Sequence, residues 1–155
     1  MKNYKSLKDL TNKVVLITGA SGGLGEQIAY QVAKKGAIVV ACARRKEKLD
    51  VVVENCQNLS KRLAYAYQLD ISKPEEVEKV VNEVEEEVGP VSVLINNAGF
   101  GLMEDFLDFD MDRVEAMFRV NVLGLMYATT YVATKMAERQ VGAIINIASM
   151  AGKIA

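Results

Sequence analysis

Among 155 residues there is no histidine. Without an imidazole the chain cannot carry a Ser-His-Asp hydrolase site or the histidine acid of many dehydrogenases, so acid chemistry must come from tyrosine, lysine or a carboxyl group. The two cysteines, Cys42 and Cys56, stand apart with no C-x-x-C spacing, which with the missing histidines excludes a zinc site and a disulfide framework and leaves both as packing residues. No apolar run is long enough to cross a bilayer, and Met1 to Lys13 is polar and mixed in charge, without the apolar core of a secretory signal. The expected location is therefore cytoplasmic, with no membrane partner. Basic residues form no long block and the formal net charge is -1, which removes the electrostatic basis for nucleic-acid binding.

What is present suits one globular domain. Half of the chain is apolar and a quarter is charged, with no internal repeat, low-complexity tract or linker. The most informative stretch is Thr18-Gly19-Ala20-Ser21-Gly22-Gly23-Leu24-Gly25, which follows the apolar run Val14 to Ile17 and opens a helical pattern. Glycines at a strand-to-helix turn let backbone N–H groups approach phosphate oxygens at the positive end of a helix, so this turn is where a dinucleotide would be held. Glu26-Gln27 follow Gly25 in place of the Lys-Ser/Thr pair of a P-loop, which argues against an NTPase.

The remaining pattern alternates. It predicts helices over about 23–35, 46–59 and from Pro74 through Val88, and strands over Ala37–Ala43, Leu63–Leu69 and Val91–Ile95. Ser72 reads as an N-cap with Pro74 in the first helical turn. Glu83, Glu85, Glu86 and Glu87 read as a solvated helix surface without chemistry. A long amphipathic helix over 111–139 precedes a last apolar run, Ala143–Ala148. Alternating strands and helices imply an α/β fold, a doubly wound parallel sheet covered on both faces, with ligands bound beyond the carboxyl ends of the strands. Gly19, Gly23 and Gly25, then Arg44, Asp70, Asn97 and Ser149, each fall just after a strand and so on one rim.

TGASGGLG at 18–25, Asp70-Ile71, NNAG at 96–99, Val120-Asn121 and the serine of IINIASMAG together resemble the short-chain dehydrogenase/reductase family, from about residue 13 onward. The resemblance implies a Rossmann-type sheet in strand order 3-2-1-4-5, truncated after strand five, so that 1–155 forms a single, incomplete NAD(P)-binding domain. It makes Gly19, Gly23 and Gly25 the cradle of the cofactor phosphates, with Ser21, Gly22 and Leu24 in the same loop. Asp70 and Ile71 would meet the adenine, and Asn97, Ala98 and Gly99 of the NNAG segment would border the adenosine ribose. At the end of strand two, a carboxylate would grip the ribose 2′-OH and repel a 2′-phosphate. Ala43 occupies that place, followed by Arg44 and Arg45, which favours NADP(H) over NAD(H) because guanidinium groups make charge-assisted bonds to phosphate.

The family moves hydride between nicotinamide and a small carbonyl or alcohol substrate, a tyrosine handling the proton, a lysine one helical turn later lowering its pKa, a serine orienting the carbonyl oxygen and an asparagine supporting a water relay. Ser149 and Asn121 match the last two. The resemblance places Tyr-x-x-x-Lys about a dozen residues after the serine, whereas the sequence ends at Ala155; the expectation is a chain without its catalytic pair, or alternatively an inactive nucleotide-binding or structural fragment. Tyr131 and Lys135 have the right mutual spacing but precede Ser149 and lie ten residues from Asn121, about 15 Å along an unbroken helix. They read as a decoy, with Tyr131 a packing residue and Lys135 a solvated neighbour. The 111–139 helix is expected to pair two copies into a homo-oligomer, and Ile144 to Ile147 to form an exposed, adhesive sheet edge.

Overall fold

The computed structural model describes residues 9–103, 105–108 and 110–149. The N-terminal eight residues and the end of the serine motif, 150–155, lie outside them. Five parallel strands, β1 (Val14–Thr18), β2 (Ile38–Ala43), β3 (Ala64–Gln68), β4 (Val91–Asn96) and β5 (Ala143–Asn146), form one sheet in the order β3-β2-β1-β4-β5. All five residues of β1 are buried, as a central strand covered on both faces requires.

Alternate strand residues serve two cores. Val15, Ile17, Val39 and Ala41 face α1 (Gly23–Lys34) and α2 (Lys46–Ser60), whereas Val14, Leu16, Val40 and Leu94 face α3 (Pro74–Glu87) and α5 (Leu125–Arg139). Each helix answers with one apolar stripe at helical spacing: Leu49, Val52 and Cys56 on α2; Val77, Val80, Val81 and Val84 on α3; Ala128, Val132 and Met136 on α5. On α1 the buried stripe is Gly25, Ala29 and Ala33, small residues that let the helix sit close over the sheet where its N-terminus meets the glycine turn.

Three sequence expectations change. The residue capping α3 is Lys73, with no side-chain cap; the Ser72 hydroxyl turns back and donates to Asp70 Oδ1 at 2.7 Å. The 111–139 helix is not regular: α4 (Met111–Phe118) passes through a π-helical segment, Arg119–Gly124, before α5 begins. Glu85 is no solvated bystander. Its carboxylate receives two bonds from the Arg139 guanidinium, at 2.6 and 3.1 Å, and one from the Val91 N–H at 2.9 Å, so α3, the start of β4 and the end of α5 are tied at the N-terminal end of the sheet.

Candidate functional site

The exits of the neighbouring strands β1 and β4 at the sheet's C-terminal edge set the geometry. Gly19 has φ +68, and a Cβ there would lie 2.7 Å from Ala98 Cα, so only glycine lets the turn after β1 rest against the segment after β4. The contact is stitched by Thr18 and Asn97. Thr18 Oγ1 accepts from the N–H groups of Asn97 at 3.1 Å and Ala98 at 3.0 Å, while Asn97 Nδ2 donates to the carbonyls of Thr18 at 3.0 Å and Gly19 at 3.3 Å. Buried Thr18 was read from sequence only as part of the loop motif; its hydroxyl is what fixes the two exits together.

Between these exits and those of β2 and β3 lies a cleft of about 520 Å³, lined by the glycine turn, Arg44, Arg45, Asp70, Ile71, Asn97, Ala98, Gly99, Phe100 and Val120. The structure therefore brings together every sequence-singled residue of the glycine loop and of the β2, β3 and β4 exits. Gly22 caps α1 without any side-chain hydrogen bond, so the N–H groups of the first turn remain for a ligand. At Gly23, φ is +58 and nothing stands within 4 Å of where a Cβ would be, so this side of the turn is open. Such a surface fits a pyrophosphate: backbone donors, a helix N-terminus and no blocking side chain.

Arg45 is already placed against this turn. Its Nη2 and Nε donate to Ser21 Oγ at 3.0 and 3.3 Å, and Nη2 passes within 3.5 Å of the position a Gly22 Cβ would take. Arg44 is exposed beside it, its carbonyl accepting from Gln68 Nε2 at 2.9 Å. Across the cleft, partial burial works against the Asp70 carboxylate, but the hydroxyl and N–H of Ser72 and the charges of Arg44 and Lys73 outweigh it and hold the pKa below the ordinary aspartate value. Burial pushes the Cys42 thiol up to about 12 and the Cys56 thiol up to about 11, so neither supplies a thiolate at neutral pH.

Asn121 stands in the π-helical segment and spends both ends of its amide on one residue. Its Oδ1 accepts from the Phe100 N–H at 3.0 Å and its Nδ2 donates to the Phe100 carbonyl at 2.7 Å, which fixes the loop leaving β4. Gly124 lets the helical rod approach the β3 exit, since a Cβ there would lie 2.9 Å from Ile71. Below the rim, buried Asn96 donates to Thr129 Oγ1 and Asn146 Oδ1, both at 2.9 Å, which joins β4, β5 and α5. Ser149 is exposed three residues past β5 and, like Asn121, is not among the residues lining the cleft. Tyr131 is partly buried against the core shared by α3, α5 and the sheet. Lys135 is half-buried too, less solvated than the sequence suggested.

A doubly wound parallel sheet with a glycine-lined cleft at its C-terminal edge defines a nucleotide-binding α/β protein. Residues 13–155 match the family model described as short chain dehydrogenase, and the chain belongs to that family. It is 35% identical over 145 residues to the human protein 17-beta-hydroxysteroid dehydrogenase 13, covering 94% of this chain and 48% of the relative. Among solved structures it resembles NAD+-bound xylitol dehydrogenase, with TM-score 0.90, 29% identity and coverage of 94% and 56% of the two chains. It likewise resembles a gluconate 5-dehydrogenase from Burkholderia cenocepacia J2315 in complex with NADP and tartrate, with TM-score 0.87, 31% identity and coverage of 95% and 57%. The chain spans about half the length of the curated relatives it matches.

Proposed function

We propose that the cleft binds NADP(H) in preference to NAD(H), as the coenzyme half of an oxidoreductase that moves hydride between nicotinamide and a small carbonyl or alcohol. The observation that carries the coenzyme preference is the end of β2, where Ala43 stands in place of a carboxylate and Arg44 and Arg45 both line the cleft, the second already bonded to Ser21. The two solved relatives named above hold one coenzyme each, so the preference rests on these side chains. Bound, the coenzyme would supply the hydride donor or acceptor. The uncapped first turn of α1 would hold its pyrophosphate, Arg44 and Arg45 its 2′-phosphate, and Asp70 and Ile71 would border its adenine.

On the reacting side, Ser149 would orient the substrate oxygen. Asn121 would act by position, keeping Phe100 and the loop behind it fixed at the cleft mouth. Tyr131, packed into the α5 layer, is not given the proton transfer in this reading. The same packing favours a second reading, in which the chain on its own binds coenzyme without turning over. A cytoplasmic location fits two buried free thiols, and no helix among the described residues is long and apolar enough to cross a membrane. The unburied α4 and the exposed Phe118, Val122, Leu123 and Met126 would pair two copies.

The test is titration with NADPH and NADH, followed by fluorescence, of the parent and of Arg44→Ala and Arg45→Ala. Losing a charge-assisted bond to phosphate should weaken NADPH binding about tenfold or more and leave NADH nearly unchanged. Equal affinities for the two coenzymes in parent and variants would overturn the preference. Turnover of a panel of ketones by this chain, compared with a longer form of the protein, separates the two readings.

A further inference from the structure

Read along the sequence, the cations at the N-terminal end of the sheet are three isolated short runs. Folding gathers them. Lys13 enters β1, Lys34 and Lys35 close α1 just before β2, and Lys61 and Arg62 join α2 to β3. These three strands are neighbours, about 5 Å apart in the sheet, so the loops lie side by side at the end opposite the coenzyme cleft. Direct bonds hold them together: Asn12 N–H donates to the Gly36 carbonyl at 2.9 Å, Ile38 N–H donates to the Lys13 carbonyl at 2.9 Å, and the Arg62 guanidinium donates to Asn12 Oδ1.

All five side chains are exposed, and among the described residues Lys13, Lys34, Lys35, Lys61 and Arg62 make no ion pair with an acid. Asp9 is the acidic neighbour, its pKa lowered by the Thr11 hydrogen bonds and in smaller part by Lys13. Leu63 sits directly after Arg62 and is 64% exposed, and Leu59, in the last turn of α2, is 44% exposed. The opposite layer has the opposite sign there: Glu83, Glu85, Glu86 and Glu87 end α3, and Arg139 of α5 is consumed by Glu85. This end of the molecule is therefore basic and apolar under α1 and α2 and acidic under α3.

Cations near a helix C-terminus favour the helix dipole, which accounts for Lys34. It does not account for Lys13 or Arg62, which lie outside any helix, or for leucines left in water among them. We propose that the loops preceding β1, β2 and β3 form a docking surface for an anionic lipid bilayer, with the cations meeting lipid headgroups and Leu59 and Leu63 entering the headgroup boundary. The mixed composition selects a bilayer over nucleic acid or a second copy's acidic helix: polyanions of those kinds pair the charges and leave the leucines exposed. From the sequence no membrane partner is expected, for want of a spanning segment and of a contiguous basic block; the proposed surface departs from that expectation because the fold assembles a block from separated residues. The coenzyme cleft, at the other end of the strands, stays open when this surface is occupied.

The experiment is co-sedimentation of the full 155-residue chain with vesicles of pure phosphatidylcholine and of phosphatidylcholine with one-third phosphatidylserine, at about 0.1 M and about 1 M salt. Binding to the mixed vesicles at low salt, reduced at high salt and absent with phosphatidylcholine alone, is expected. Each cation neutralised should weaken it about fivefold, and Lys34→Glu/Lys35→Glu/Lys61→Glu should abolish it. Leu63→Ser should weaken binding at both salt concentrations. Circular dichroism checks that the variants fold; if the triple reversal does not, the neutral pair Lys34→Gln/Lys61→Gln takes its place, with a drop of about 25-fold expected. The proposal fails if the mixed vesicles are not bound, if phosphatidylcholine alone is bound equally, or if the charge variants bind like the parent. It fails equally if duplex DNA is bound more tightly at the same salt, or if the cations instead drive a salt-sensitive dimer in sedimentation velocity. Loss of coenzyme binding would count against the proposed function and leave this surface untouched.

Discussion

On the β1–β4 side of the rim, Thr18, Gly19, Asn97 and Ala98 meet through four hydrogen bonds between side chain and backbone, every one made inside the first hundred residues. On the β5 side, α4 buries no residue, Phe118 is 56% exposed, and β5 is only half covered. The first region is held by its own chain. The second leaves apolar surface exposed. Under the proposed function, coenzyme binding and turnover would draw on parts of the molecule with unequal local support, and the first should survive where the second does not.

The sharpest way to break this contrast is Gly19→Ala, which forces a side chain into a left-handed turn 2.7 Å from Ala98 Cα. A loss of about 3 kcal/mol is expected, a melting temperature lower by about 10 °C, and no coenzyme binding. An unchanged melting curve would mean the turn has slack. Thr18→Val comes next, since it strands the N–H groups of Asn97 and Ala98. It should cost about 2 kcal/mol and speed hydrogen exchange at those two amides, while exchange in α4 stays as it was. Arg139→Met leaves the Glu85 carboxylate largely enclosed without its partner and should cost about 1.5 kcal/mol in urea denaturation, with Glu85→Gln restoring part of it in the double variant.

Acid gives a smaller effect. The folded pKa of Asp70 lies below its ordinary value, so its stabilisation is full at neutral pH and is lost as pH falls from about 4 through the folded pKa. Asp70→Asn should flatten that acid limb in a pH series of thermal melts; parallel curves would show that the carboxylate is not coupled to folding. Phe118→Ser should move stability least, by under about 0.5 kcal/mol, yet shift sedimentation velocity from associated species toward monomer. A monomeric parent would leave the exposed helix without its expected companion.

Most of the sheet was legible because its strands are apolar runs ended by glycine, proline or charge, and the order of alternating elements restricts a parallel sheet to few topologies. The cleft was legible for a related reason: strand exits in such a sheet share one edge, so Arg44, Asp70 and Asn97 could be placed together without coordinates. The misreadings involve what a side chain does after its element is placed. Ser72 has the identity of an N-cap and yet stands one residue before the cap position, where its N–H and its hydroxyl both donate to Asp70 Oδ1 in an Asx-type turn. Glu85 sits in an acidic run indistinguishable by composition from Glu86, and only the distant Arg139 separates them. The π-helical segment leaves no compositional mark at all.

That six-residue widening between Phe118 and Leu125 sets the angular phase of everything after it. Its i→i+5 bonds take up one residue more than an α-helical turn holds, so α4 and α5 keep the phase of a continuous helix one residue shorter; wound regularly, at about 100° per residue, the same residues would swing the two ends by close to a third of a revolution relative to each other. Either Ala128, Val132 and Met136 would rotate off the sheet, or α4 would carry Asn121 away from Phe100. An added codon there, which shifts the phase by about 100°, should consequently be worse tolerated than any substitution in the same stretch, and the number of residues in this wide turn, more than their chemical identity, is what keeps the rim in register.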